Sequence, residues 1–415
     1  MRLLYSLAIQ LYGVVAYAMA LIQPKARLWV HGQATWKKEV SGLEKGPRPI
    51  WFHCASVGEF EQARPIIEKF SASRPGVPIL LTFFSPSGFE LHKNYELAQC
   101  VAHLPLDTPR NAREFLDLTK PQAIVFVKYE LWFNFMKEFN NRNIPSVLIS
   151  AFFHENHLLL RWPGRLLGKN LDAFTRIFVQ DDETALRLAA IGVENTEVAG
   201  DTRYDRVLDI VNSPFDHPAI ESFAKDDKVI VIGSNWPEDD EIIIDELKKL
   251  IGVKLIVAPH EMSSTQIQVW ESRFAGKILM LSELEDTIPD NVKVLFIDRI
   301  GMLSHLYRFA SVAYVGGGFG KSVHNTLEPA VYGVPVLFGP NNLRFDEVQQ
   351  LKKMGAGFEV KSQSEFAQMI QILITDSEKL DEVRRKLKTH FEEKKGGSAI
   401  VLAWLSQALK GASQK

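Results

Sequence analysis

The sequence predicts an α/β protein built from two Rossmann-like, doubly wound domains facing a cleft, with a separate helix at the N-terminus. Three observations carry this reading. From residue 48 onward, short β-rich apolar runs alternate with stretches of helical period, the pattern of buried parallel strands joined by helices. A turn-rich stretch breaks the alternation near the middle of the chain. The 415 residues also exceed one ordinary domain of about 100–200 residues.

The first element is the segment Leu3–Ile22, which carries no charge and as a helix would span about 30 Å. Lys25, Arg27, Lys37 and Lys38 follow it while only Arg2 precedes it, a bias that keeps the rest of the chain on the cytoplasmic side of a membrane. Residues 1–24 are therefore expected to form a membrane-anchor helix that either spans the bilayer or, given Gln10, Tyr12, Tyr17 and Gln23, lies in its interface. Two other readings stay open. Ala16-Tyr17-Ala18 and Ala18-Met19-Ala20 resemble leader cleavage sites, and the segment could instead be a core helix.

Strands are expected at Pro49–Cys54, Val77–Phe84, Val101–Leu106, Ala123–Val127, Ser146–Ala151 and Ile177–Gln180. A second set follows at Val229–Gly233, Lys254–Ala258, Val292–Ile297, Val312–Val315 and Val334–Phe338. Between the sets, Val207–Asp227 carries Asn212-Ser213-Pro214 and Asp216-His217-Pro218 and suits a hinge, which sets the domains at 25–212 and 213–415. Ser377–Lys395 reads as a surface helix ending before Gly396-Gly397. With 48 basic and 50 acidic residues the net charge is −2, so nothing draws the chain to nucleic acid as a whole. Two cysteines, Cys54 and Cys100, are too few for a disulfide framework or a cysteine-based zinc cluster.

Ligands of doubly wound sheets bind beyond the carboxyl ends of the strands, so the residues just after each apolar run hold the candidate chemistry. The first run leads into His53-Cys54-Ala55-Ser56-Val57-Gly58-Glu59, placing Glu59 in the opening turn of a helix. Glu59 there is either a catalytic carboxylate or, with Ser56 three residues before it, half of a capping box. Val312–Val315 leads into Gly316-Gly317-Gly318-Phe319-Gly320-Lys321-Ser322 and then His324-Asn325-Thr326-Leu327-Glu328. Glycines at that place let backbone amides reach a phosphate, with a helix N-terminus behind them, although a tight structural turn explains them as well. Neither the Walker A nor the dinucleotide spacing is met. No Asp-x-Asp pair occurs, which points to a mechanism without a metal or other cofactor. Glu238–Glu241 are expected to complement a helix dipole. Trp132, Phe133, Phe135, Phe152 and Phe153 could line an apolar groove, with core packing the default.

These residues together resemble the 3-deoxy-D-manno-octulosonic acid (Kdo) transferases of lipopolysaccharide assembly, family 30 glycosyltransferases of the two-lobed GT-B fold. The likeness runs through Arg27-Leu28-Trp29-Val30-His31-Gly32, His53-x-x-Ser56-Val57-Gly58-Glu59, Thr82-x-x-Ser85-Pro86-Ser87-Gly88, Leu104-Pro105-Leu106-Asp107 and Glu130-Leu131-Trp132. It continues in Gly233-Ser234, Gly316-Gly317, His324-Asn325-x-Leu327-Glu328 and Val334-Pro335-Val336-Leu337-x-Gly339-Pro340. The resemblance implies inverting transfer of Kdo from CMP-Kdo to the lipid A precursor by an enzyme at the cytoplasmic membrane. It implies Glu59 as general base and Glu130 as a second carboxylate near the sugar, with Ser56 and Gly58 beside them. Glu328 would hold the ribose, and Ser234, Gly316, Gly317 and Asn325 would surround the phosphate. Pro259, His260, Gly301 and Met302 would lie near the base. The family's Pro-Arg-His is Pro259-His260-Glu261 here, so the expected arginine contact falls to another residue, with Lys254, Lys321 and Arg344 as candidates. Glu-Thr-Glu-Leu-Trp is Lys128-Tyr129-Glu130-Leu131-Trp132, and an arginine-containing stretch is replaced by Phe152-Phe153-His154-Glu155. A different GT-B nucleotide-sugar enzyme and an exported two-lobed solute-binding protein are the competing readings.

Overall fold

The computed structural model describes residues 2–162, 164–225, 227–284 and 287–412. The chain forms two compact units, Met1–Arg206 with Lys394–Lys415, and Val207–Glu393. The first holds the parallel strands β1 (Ile50–Cys54), β2 (Ile79–Phe83), β3 (Cys100–His103), β4 (Ala123–Val127), β5 (Ser146–Ala151), β6 (Arg176–Val179) and β7 (Thr196–Val198) in the order β3-β2-β1-β4-β5-β6-β7. The second holds β8 (Lys228–Gly233), β9 (Val253–Ala258), β10 (Ile278–Met280), β11 (Val294–Phe296), β12 (Val312–Val315), β13 (Val336–Phe338) and β14 (Gly357–Glu359) in the order β10-β11-β9-β8-β12-β13-β14, again all parallel.

Continuous apolar runs are what a sheet covered on both faces requires. In β1, Trp51 enters one core with Phe126 of β4 and Phe135, while Ile50, Phe52 and Cys54 enter another with Val125, Phe60 and Phe83. The three strands absent from the sequence reading, β7, β10 and β14, are three-residue strands at sheet edges, where short length and one-sided pairing weaken the apolar signal. The predicted run Val101–Leu106 stops as a strand at His103. The Gln33 side chain takes over the next backbone groups, donating to the Leu104 carbonyl (3.2 Å) and accepting from the Leu106 N–H (2.7 Å).

The predicted domain limits shift at both ends of the second unit. The division falls at Arg206–Val207 rather than at 212–213, and the stretch expected as a hinge is largely helical (Arg203–Asn212, Pro218–Ala224). The final helix, Gly397–Ala412, returns to the first unit. There Val401, Leu405 and Leu409, spaced for one helical face, join the core with Phe60 and Ile66, and Asp205 fixes the entry by accepting from the Gly396 and Ser398 amides (2.7 and 2.6 Å).

Residues 1–24 are not a separate body either. Helix Arg2–Met19 packs on the first unit through a stripe of helical period: Tyr5, Ser6, Ile9, Gly13 and Ala16 are turned inward. Tyr5 donates to Asp107 (2.6 Å), and a Cβ on Gly13 would lie 2.8 Å from the Leu106 side chain. Among the described residues, no helix is long and apolar enough to cross a membrane. The next helix, Pro24–Val40, packs on β3, where a Cβ on Gly32 would lie 2.4 Å from the His103 ring. The close approach explains glycine there.

Candidate active site

Strand order in the first unit reverses between β1 and β4, and in the second between β8 and β12. Beyond the carboxyl ends of such adjacent strands the following loops part and leave a crevice. The predicted site residues cluster at these two places.

In the first unit, β1 runs through Ala55 into helix Val57–Ser73, and β4 runs into the turn that carries Glu130 and Trp132. Lys128 sits at φ 63°, in the left-handed region, and turns the chain sharply off β4. Glu59 is buried and accepts from the Ala55 N–H (2.5 Å), while Ser56, the residue at the N-cap position, makes no capping bond with its side chain. Neither half of the capping box is formed, since its carboxylate would take the Ser56 N–H. The Glu130 carboxyl interacts with that of Glu59 and accepts from the Trp132 indole N–H (2.8 Å). The same indole N–H reaches His53 Nε2 (3.0 Å), so His53 carries its proton on Nδ1 and directs it to Thr82 Oγ1 (2.9 Å). Thr82 also accepts from the Trp51 indole N–H (2.8 Å).

Burial sets the electrostatics. It pushes the Glu59 carboxyl up to about 8, with the Glu130 charge adding to the effect. It also lifts Glu130 to about 7 against the bonds from Trp132 and Glu59. Two carboxyls this close and this dry do not both ionise readily, so near neutrality they share a proton. Burial holds His53 down at about 4, which keeps the imidazole neutral beneath them. Gly58, exposed on the first turn of its helix, leaves the surface above Ser56 open. Phe133, Phe135 and Phe153 are core, not groove.

In the second unit, Ser234 follows β8 at φ 55° and donates its N–H to the Ala258 carbonyl (2.7 Å). The glycine loop differs from the expected amide cradle. The Gly316 N–H donates to the Gly233 carbonyl (2.9 Å) and the Gly317 N–H to Asp239 (2.8 Å), so neither amide awaits a phosphate. Glycine is needed at 316 for another reason: a Cβ there would lie 2.4 Å from Ser234 O and Asn235 Cα. Asp239 is a tie rather than a dipole complement, for it also accepts from the Tyr314 hydroxyl (2.7 Å) and the Trp236 N–H (2.9 Å). Asp240, pushed up to about 6 by burial, accepts from Asn235 and Gln266.

Asn325 accepts from the Leu327 N–H (3.1 Å) and donates to Glu328 (3.0 Å), which holds Glu328 at the rim. The helix behind it, Leu327–Ala330, is a single turn, too short to supply the dipole expected of it. Helix Leu303–Leu306 brings Leu303 against Gly233, with Met302 just ahead of it and Gly301 turning the chain at φ 90°. Pro259 and the exposed His260 end β9. The His260 N–H donates to the Asn235 carbonyl (3.2 Å), and its ring stacks on Trp236 and His324 (centroids 4.6 and 4.3 Å). Lys254 is not a substitute for the missing arginine. It lies near the amino end of β9, bonded to Asp227 (2.9 Å) and the Phe223 carbonyl.

A family model described as 3-deoxy-D-manno-octulosonic-acid transferase (kdotransferase) matches residues 23–206. The 3-deoxy-D-manno-octulosonic acid transferase of Aquifex aeolicus is 30% identical over 356 residues, covering 83% of this chain and 92% of that one. The chain belongs to the Kdo transferase family. A transferase of the same name from Chlamydophila psittaci is 29% identical over 365 residues, 83% of each chain. Among solved structures, the UDP-GlcNAc 2-epimerase of Neisseria meningitidis superposes with a TM-score of 0.58 at 15% identity, covering 86% of this chain and all of that one. MurG of Acinetobacter baumannii does so with 0.55 at 13% identity, covering 87% of this chain and all of that one. Both show the fold, which is GT-B.

In this Kdo transferase the predicted Glu59, Glu130, Ser56 and Gly58 come together on the first unit. Ser234, Pro259, His260, Met302, Gly316, Gly317 and Asn325 lie on loops that follow the strands of the second, and Glu328 on the short helix Leu327–Ala330. Sequence reasoning missed His53, Thr82 and Trp132 as a frame, and Trp236, Asp239 and His324 at the second rim. His53, Thr82, Trp132 and His324 stand in the motifs that carry the resemblance, but nothing in their spacing showed which side chains they would meet.

Proposed function

We propose that this chain moves Kdo from CMP-Kdo to a glucosamine hydroxyl of the lipid A precursor lipid IVA, with inversion at the anomeric carbon and Glu59 as general base. The observation that carries the reading is the buried Glu59–Glu130 pair at the β1/β4 switch point. A sugar hydroxyl attacks only as it loses its proton, and a base whose affinity for protons lies near the working pH accepts it best. The new C–O bond forms as the bond from the anomeric carbon to the CMP phosphate breaks, its electron pair leaving with the phosphate and the hydroxyl proton passing to Glu59. Glu130, anchored by Trp132, supplies the second carboxyl, which takes the shared proton when Glu59 is free to act. The second unit receives the nucleotide, Glu328 gripping the ribose. The reading invokes no metal or cofactor and no nucleic-acid partner.

A lipid acceptor calls for a membrane surface, and helix Arg2–Met19 supports one. Its outward face presents Leu3, Leu4, Leu7, Leu11, Val14 and Val15, 52–83% exposed, a contiguous apolar strip suited to the interface of the cytoplasmic membrane. Incubation with CMP-Kdo and lipid IVA followed by mass spectrometry tests the proposal. Product heavier by one or more Kdo residues supports it, and turnover of another nucleotide sugar but not CMP-Kdo overturns it. Glu328→Ala is expected to weaken CMP binding at least about tenfold, the worth of bonds to a charged group, and an unchanged titration would remove Glu328 from the site.

A further inference from the structure

With the Gly316 and Gly317 amides engaged inside the fold, the side chains of the second rim are candidates for holding an anion. Three rings meet there. The Trp236 indole N–H donates to His324 Nε2 (3.0 Å), which places the His324 proton on Nδ1 and joins the two rings edge to edge. Burial, with His260 nearby, holds His324 down at about 4, so this ring stays a neutral N–H donor. His260 lies over both partners, 28° from the indole plane and 23° from the imidazole plane. Among the described residues nothing bonds to the His260 ring nitrogens or to His324 Nδ1. The bond from Trp236 keeps His324 neutral and fixes its tautomer, so the three rings stack without a charge on His324. The buried Asp239 carboxylate accepts from the Trp236 and Gly317 amides and the Tyr314 hydroxyl.

We propose that Trp236, His260 and His324 form the subsite for the phosphate of the CMP moiety, His260 and His324 donating ring N–H groups to its oxygens and Trp236 fixing which nitrogen of His324 donates. The proposal rests on the CMP-sugar reading above. Ligand-observed NMR titrations of the full chain in detergent, with CMP and with cytidine as probes, test it. His260→Ala and His324→Ala are each expected to weaken CMP by about tenfold or more and cytidine by less than about twofold, because cytidine lacks the phosphate. Trp236→Phe keeps a flat ring for stacking but removes the donor, and is expected to weaken CMP about threefold to tenfold with cytidine unchanged. Equal losses for CMP and cytidine would assign the rings to the base and overturn the proposal, as would CMP affinity unmoved in all three variants. If the unsubstituted chain bound no CMP, the CMP-sugar reading would fall and this inference with it. CMP binding that survives the substitutions defeats the inference alone.

Discussion

Replacing Glu59 by glutamine should abolish transfer and at the same time stabilise the protein at alkaline pH. The two effects share one origin. The Glu59 carboxyl is held at about 8 in the fold, against an ordinary value of 4.5, chiefly by burial and then by the Glu130 charge. Because the folded form binds this proton more tightly than the unfolded chain does, the contribution to stability is fully present below pH 4.5. It is lost as pH rises through about 8. At about 1.4 kcal/mol per pH unit the loss has a ceiling of ~5 kcal/mol, and sharing of the proton with Glu130 reduces it. Glutamine keeps the shape and can still accept from the Ala55 N–H, but it never ionises. We expect Glu59→Gln to raise the stability of the first unit by at least about 2 kcal/mol at pH 9 relative to pH 5, or roughly 4–8 °C in melting temperature for a unit of this size. Differential scanning calorimetry at the two pH values reads the stability, and a CMP-release assay reads turnover. A variant no more stable at pH 9 than the unsubstituted chain would show that Glu59 is ionised at ordinary pH. Normal turnover would refute its role as base.

Trp132→Phe removes the donor that lowers Glu130, so the carboxyl pair should hold its proton to higher pH and the acid limb of the pH–rate profile should move upward by about half a unit or more; an unmoved profile would separate Trp132 from the pair. Tyr5→Phe deletes the 2.6 Å bond to Asp107, a carboxyl that burial already lifts to about 6, and should cost about 1–3 kcal/mol by thermal melting. That loss should be larger at pH 8 than at pH 5. The reason is that a folded-state value above the unfolded one contributes at low pH and is lost through pH 6, and the variant loses a bond that lowers it. Ending the chain at Lys395 strips Val401, Leu405 and Leu409 from the first unit's core and should cost about 4–9 kcal/mol, enough to leave that unit unfolded at room temperature in circular dichroism.

Legibility tracked burial and sequence distance. Central strands such as Ala123–Val127 and Val312–Val315 stand in the structure with the limits their apolar runs indicate, because both faces of each are covered and every residue must be apolar. The three-residue edge strands β7, β10 and β14 were silent for the opposite reason, whereas the longer edge strand β3 was readable. Helix Gly397–Ala412 has a readable apolar stripe, but its partner, helix Val57–Ser73, lies more than three hundred positions earlier, and spacing says nothing about which sheet a stripe will cover. Glu59 could be picked out as a candidate because it follows a strand, and Glu130 through the family resemblance. That the two carboxyls interact depends on β1 and β4 being neighbours, and chain order alone, with β2 and β3 intervening, conceals this.

The glycine loop shows why composition misleads most where chains cross. Gly316 and Gly317 invite a phosphate reading, yet the steric demand comes from the protein itself: Ser234 and Asn235 press on Gly316, Ser322 and His324 on Gly317, and Gly339 on Gly318. The same logic extends to the motifs that carry the family likeness. Gly32 lets a helix reach β3, Asp107 accepts the amides of Asn134 and Phe135 that begin the helix after Trp132, and Thr82 receives both Trp51 and His53. These residues touch no substrate in the mechanism proposed, yet they fix the backbone on which Glu59 and Glu130 meet. A buried carboxyl pair is costly to ionise and is kept in place only by surroundings that leave it no escape. Substitutions in this frame should therefore lower turnover through geometry, with nucleotide affinity at the second unit left as it was, whereas substitutions at Glu328, His260 or His324 should do the reverse. Because the two groups of residues belong to separate sheets with separate cores, the two kinds of loss should add independently when combined.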